Sequence, residues 1–303
     1  MNYLKTLKGA VFGDDSAEKI SRIIPVSDQE FQCNPSECHI QFKESAFQLK
    51  GSDATVPLYE TASPADLHIL VSTGKTDWPH DAFDEKNTIL PLIRRHSQSL
   101  GKKYVAANVT NEPLDISDPD CLSLKKLDVL LLPWFVWIKG ITETNIKQVF
   151  SNIEVVLNDE SENVKGKQAE ILIAKLKSIP GISCYKDINS SYILLCSHRT
   201  RDKRCGITAP IMKKEFDSQL RDLDLYRDSG DDRSNGVHVM FVNHVGGHKF
   251  AANVLIYNKH GEFIWFARCT PLNVKFIINE TVLHNKADVK HVRTCIKFDA
   301  IKW

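Results

Sequence analysis

No apolar run in this 303-residue chain is long enough to span a bilayer. The longest, at 129–138 (VLLLPWFVWI), is about half the required length and is broken by Pro133, which suits a buried strand. The first residues, MNYLKTLKGAVFGDDSAEK, lack the apolar core of a secretory signal, and the early Asp14 and Asp15 do not suit a mitochondrial presequence. Excess charge is missing too. A formal net charge of +1 gives the chain no global pull toward nucleic acid or an acidic membrane. Nor is there a Cys-x-x-Cys pair, the arrangement used in thioredoxin-type catalysis. These absences predict a cytoplasmic setting with no nucleic-acid partner and no membrane span. In such a reducing compartment the eight cysteines read as free thiols or metal ligands rather than a disulfide framework.

What is present is the make-up of a globular α/β protein, 42% hydrophobic and 25% charged. Residues 1–60 are polar and mixed, interrupted by Gly13, Pro25, Pro35 and Gly51, and read as a partly disordered leader. Strands are predicted at Leu67–Ser72, 103–109 and 129–138, with a helix at 89–100. The charged stretch 158–167 (NDESENVKGK) reads as a linker, followed by an amphipathic helix at 168–179 that Pro180-Gly181 ends. Beyond it come a strand at Ser191–Cys196 and a helix capped by Thr208, with Pro210 in its first turn. Met212, Phe216 and Leu220 share one face of that helix. A strand at Val237–Val242, a hairpin at 253–257 and 262–268, and a long helix from Thr270-Pro271 complete the pattern.

The halves share a rhythm. LHILVSTGKTDWPHD from Leu67 and SYILLCSHRTRDKRC from Ser191 both run from an apolar strand through a polar loop toward a helix. This predicts a degenerate duplication of one α/β unit, with an N-terminal domain at 61–160 and a C-terminal domain at 169–303.

Four metal-ligating side chains fall in two short segments of the second half. One is Cys196-Ser-His-Arg-Thr-Arg-Asp-Lys-Arg-Cys205, running off a strand end, and the other is His244-Val-Gly-Gly-His248. Strand ends opening into loops are where an α/β sheet presents functional groups. Thiolate with imidazole favours zinc or iron–sulfur centres over hard cations. Gly246 and Gly247 permit positive φ and a close approach of backbone. The wide spacing of the cysteines departs from the short Cys pairs of structural zinc, while the histidines suit zinc, so both metals stay open at this point.

These residues also carry a resemblance. SHRTRDKRCGITAP with the Cys before it, followed by NHVGGHKFAANV, resembles the signature of the sucrase/ferredoxin-like family. The likeness is strongest from Ser191 onward and extends more loosely to TDWPHDAF at 76–83 and LLPWFVWI at 131–138. It implies an α/β fold of two thioredoxin-like units, mixed sheets with flanking helices. The C-terminal unit is the implied thioredoxin-like ferredoxin, and the N-terminal one, which lacks the matching Cys residues, reads as a scaffold or docking domain. It further implies a [2Fe–2S] cluster held by Cys196, Cys205, His244 and His248, electron transfer or redox sensing rather than turnover of a substrate, and roles in actin patch distribution and in sodium and oxidative stress tolerance. Two imidazoles in place of two thiolates predict a Rieske-like potential, above that of all-Cys ferredoxins and dependent on pH. The alternative with the same ligands is a zinc-stabilised interaction module, and a third is a thiol enzyme using Cys205.

Arg199, Arg201, Lys203 and Arg204 predict a positive collar for an acidic electron-transfer partner. Cys33 and Cys38, with His39, lack a fourth ligand nearby and are given no site, and His80 is assigned to the scaffold half. The terminal Trp303 resembles the tag by which the cytosolic iron–sulfur assembly machinery selects clients, although Lys302 departs from that pattern.

Overall fold

In the computed structural model, residues 14–48, 56–101 and 103–300 are described. Among these residues eleven strands form one mixed sheet. The chain enters through α1 (Asp14–Ser21), and Ile20, Ile24 and Phe31 are buried. Phe31 packs on the rings of Phe266, Phe276 and His291, so part of the predicted leader seals the C-terminal half.

The first unit runs β1 (Leu67–Ser72), α2 (Leu90–Gln98), β2 (Val105–Thr110), α3 (Pro119–Leu122), β3 (Lys126–Leu132), β4 (Val136–Thr142) and α4 (Ile146–Leu157). β1 pairs parallel with β2 on one side and antiparallel with β3 on the other, and β3 pairs antiparallel with β4. α5 (Gln168–Leu176) and β5 (Ser183–Lys186) extend this half, with β5 on the outer edge of β4.

The second unit repeats the order. It comprises β6 (Ser191–Cys196), α6 (Lys203–Asp222), β7 (Tyr226–Arg227), β8 (Val237–Val242), β9 (Val254–Asn258), β10 (Glu262–Phe266), α7 (Val274–Phe276) and β11 (Val292–Lys297). β6 lies parallel to β8 and antiparallel to β9, which pairs antiparallel with β10. A strand, a helix, a parallel strand and then an antiparallel hairpin, twice over, is the thioredoxin-like topology expected from the sequence.

The units meet through equivalent strands, β2 and β8, antiparallel at Thr110 and Val242. The seam is reciprocal. Asn111 Oδ1 accepts from the Phe241 N–H at 2.6 Å, and Asn243 Oδ1 accepts from the Val109 N–H at 2.9 Å. Each Asn also donates its own backbone N–H to the carbonyl of the same partner residue. Buried backbone groups at a sheet join need such partners, and one residue type supplies them from both sides.

Alternation along the strands sorts the core. Leu67, Ile69 and Val71 enter the larger core, while Leu70 joins Tyr192, Met240, Tyr257 and Trp265 in a smaller one. The central strands are buried on both faces and so read as continuous apolar runs.

Several expectations are corrected. The run 129–138 is not one strand but a hairpin, β3 and β4, turning at Pro133 and Trp134. The turn is itself buried, with Trp134 only 6% exposed, so it carries no polar signal. The helix expected from Thr208 starts earlier, because Asp202 caps it by accepting from the Arg204 N–H. Cys205 therefore sits in the first turn and Pro210 lies inside the helix rather than at its start. The long last helix is composite, a 3-10 turn at Pro271–Asn273 leading through α7 into a π-helical turn at Ile277–Val282. Thr270 caps it as expected, in a reciprocal box with Asn273. α4, β5 and β11 were not anticipated.

Candidate metal centre

Cys196 ends β6, Cys205 sits in the first turn of α6, and His244 follows β8 by two residues. The consecutive elements β6 and α6 thus converge with the loop that follows β8. One ligand atom each from Cys196, Cys205 and His244 lie within 4.8 Å of one another. Cys196 Sγ is 3.9 Å from His244 Nδ1. Both thiols are buried and the imidazole is half-buried. Among the described residues, no other group of three His, Cys, Asp or Glu side chains could hold a metal. His248 opens a short 3-10 turn, His248–Phe250, directly after Gly247, which puts its backbone on the same loop as His244. Trp303 lies outside the described residues.

The two thiols are unequal. The Cys205 thiol donates to Cys196, and the backbone N–H groups of Val245 and His198 also point at that sulfur. Together they hold the Cys196 thiol below its ordinary range despite burial. Cys205 is pushed up, by donating its proton to Cys196 and by burial. Cys205 is also only 1% exposed. A thiol so shielded offers a substrate no access, which counts against the thiol-enzyme reading.

The loop between the cysteines is shaped by contacts to the first unit. The Ser197 hydroxyl donates to the Thr76 carbonyl, and Thr200 donates through N–H and hydroxyl to Asp77. His198 Nε2 lies 3.0 Å from the carbonyls of both Trp78 and Pro79. That ring nitrogen therefore carries the proton, leaving Nδ1 to accept from the His244 N–H at 3.3 Å. Burial lowers the pKa of His198, consistent with a neutral ring. His198 is thus a positioning residue that the sequence reading did not single out.

The basic collar is partly neutralised. Arg204 pairs with Asp202, and Arg201 contacts His80, which leaves Arg199 and Lys203 as its exposed members. His244 also borders a cavity of about 380 Å³ lined by His68, Asn108, His198, Tyr257 and Trp265. Gly246 and Gly247 both have positive φ, at 94° and 76°. A Cβ on Gly247 would come within 2.8 Å of Arg293 Nη2, whereas one on Gly246 would meet nothing within 4 Å.

Cys33 and Cys38 lie in thiol–thiol contact, and burial is the main cause raising both pKa values, that of Cys38 to about 12. His39 turns away, its Nδ1 3.0 Å from Ser218 Oγ.

This mixed α/β scaffold, with two cysteines and a histidine gathered beside β6, α6 and β8, falls in a class that comparison with known proteins names. The chain belongs to the sucrase/ferredoxin-like family, which matches residues 58–294. It is 33% identical to actin patches distal protein 1 of Saccharomyces cerevisiae over 93% of this chain and 92% of that one. Shorter likenesses, each over 32% of this chain, link it to altered inheritance of mitochondria protein 32. The identity is 34% for the Meyerozyma guilliermondii protein and 38% for that of Debaryomyces hansenii. These cover 32% and 33% of the relatives' own lengths. No solved structure matches the chain. No helix among the described residues is long and apolar enough to cross a membrane.

Proposed function

We propose that the chain is a [2Fe–2S] protein, with Cys196, Cys205, His244 and His248 as ligands, working in electron transfer or redox sensing. The observation that carries this is the convergence of Cys196, Cys205 and His244 within 4.8 Å. The donor set suits such a group. Two sulfurs and an imidazole are soft to borderline ligands, and two backbone N–H groups already face the Cys196 sulfur. His248 completes the set from the loop that carries His244. When bound, the cluster supplies one-electron oxidation and reduction.

The residues of the chain define the rest. Cys196 and Cys205 contribute two negative charges, and His244 and His248 contribute none while neutral. His198 holds the His244 backbone in place. His244 borders the cavity, so a proton on its ring can exchange there as the charge beside it changes. Arg199 and Lys203, exposed beside the Cys loop, suit an acidic partner. The likeness to an actin patches distal protein extends the proposal to actin patch distribution in cells.

The test is the protein itself, purified without oxygen. A red-brown chromophore, iron and acid-labile sulfide in equal amounts, and a paramagnetic signal after dithionite reduction are expected. Substituting Cys205→Ser should abolish all three with the fold retained by circular dichroism. A colourless protein carrying zinc would establish the interaction-module reading instead.

A further inference from the structure

Arg293 lies in β11, far along the chain from every candidate ligand, and is 2% exposed. Its guanidinium bonds only to neutral oxygens. Nε donates to Thr61 Oγ1 at 3.1 Å and Nη2 to the Thr61 carbonyl at 2.9 Å. Nη1 donates to the Gly246 carbonyl at 3.2 Å and to Asn253 Oδ1 at 3.0 Å. Phe250 and Trp265 flank the group, with ring centroids 4.7 and 4.6 Å from Cζ. Among the described residues no carboxylate stands within ion-pair distance of it. A buried cation with no anionic partner is costly, and an arginine does not escape the cost by losing its proton.

Two observations say where the balancing charge lies. Cys196 is the one group whose negative charge favours the charged form of Arg293. The hydrogen bonds also lead there. Asn253, which accepts from Arg293, offers its carbonyl to the Cys196 N–H. Gly246, another acceptor, sits between His244 and His248.

We propose that Arg293 is the fixed counter-charge of the metal centre, raising its reduction potential while tying the histidine loop to the strand of Cys196. The proposal rests on the iron–sulfur reading above. A [2Fe–2S] core with two thiolates and two neutral imidazoles is neutral when oxidised and singly negative when reduced. One electron enters and no bond is made or broken. A nearby buried positive charge favours the reduced form, and bulk salt screens it little. Arg293 touches no ligand atom, so it is a positioning residue that acts through its field and through the loop.

The test is a visible-absorbance redox titration of the full chain carrying its chromophore, at fixed pH and at low and high salt. Arg293→Met removes the charge. Thr61→Asp keeps the arginine and sets a carboxylate beside it, which serves if the first variant fails to fold, and Thr61→Val is the uncharged control. At the potential where wild type is half reduced, the reduced-to-oxidised ratio should fall about tenfold or more in Arg293→Met and in Thr61→Asp, equivalent to about 59 mV for one electron. Arg293→Lys and Thr61→Val should stay near wild type at either salt. Loaded Arg293→Met or Thr61→Asp titrating with wild type would overturn the proposal while leaving the iron–sulfur reading intact. A wild-type protein with no such chromophore would sink both.

Discussion

His198 and Trp78, on loops from different halves of the sheet, are joined by a hydrogen bond from the imidazole Nε2 to the Trp78 carbonyl, 3.0 Å long. The rings meet edge to face, with centroids 5.7 Å apart. One face of the candidate site is therefore built by the unit that contributes none of its Cys or His side chains. Replacing His198 with Ala strands the carbonyls of Trp78 and Pro79 and leaves the His244 N–H without its acceptor. A loss of about 1–3 kcal/mol in denaturant unfolding is expected, together with faster bleaching of the visible chromophore. Wild-type values for both would mean that the contact is incidental.

The two loop glycines should differ. Both need left-handed φ, so an added Cβ at either costs roughly 1–2 kcal/mol. At Gly247 the new methyl also meets Arg293 Nη2 and Phe250 Cδ2, at 2.8 and 2.9 Å, while at Gly246 it meets open space. Gly247→Ala should therefore lower the melting temperature and the iron content more than Gly246→Ala. Equal effects would show that strain alone decides.

His68 makes acid sensitivity measurable. Its ring bonds Tyr257 Oη and Asn108 Oδ1, and burial pushes its pKa down to about 4. Folding thus keeps His68 neutral where the unfolded chain, near 6.5, takes up a proton. Stability is unaffected above about pH 6.5, falls as pH drops through the window down to about 4, and levels off below it, for a total on the order of 3 kcal/mol. His68→Gln should flatten that part of the urea-midpoint profile. An unaltered slope would assign the acid sensitivity to other groups, His198 and His96 among them.

On the proposed reading, imidazole ligation gives a potential that falls with rising pH by up to about 59 mV per unit, between the ligand pKa values of the oxidised and reduced forms. Exchanging His244 for Cys should lower the potential and shrink that slope. A wild-type potential flat from mildly acidic to strongly alkaline pH would contradict histidine ligation.

How much of this was legible follows from where the determinants sit. Cys196, Cys205 and His244 lie in two short segments beside recognisable strands, so residue type and position sufficed. His198 was visible in the same segment, but its role depends on two carbonyls of the other unit, which no spacing reveals. Arg293 stands in an ordinary-looking strand, and only burial without a carboxylate distinguishes it. The start of α6 was misplaced because Thr208 and Pro210 imitate a helix start, whereas Asp202 provides the cap. The hairpin at Pro133 was hidden because Phe135, fully buried just before β4, keeps the turn apolar.

The reciprocal seam at Asn111 and Asn243 has the geometry of a two-fold dimer, enclosed within one chain. A symmetric pair of identical chains carries every change twice, but a fused pair is free to diverge. Ser72 holds the place in β1 that Cys196 holds in β6, and its buried hydroxyl makes no hydrogen bond. The described residues hold a single group of three His and Cys side chains that could bind a metal, and it lies in the second unit. On the proposed reading, an electron arriving there has no second stop within those residues. The protein must pass it on at the surface, one charge per encounter, as a shuttle rather than a wire.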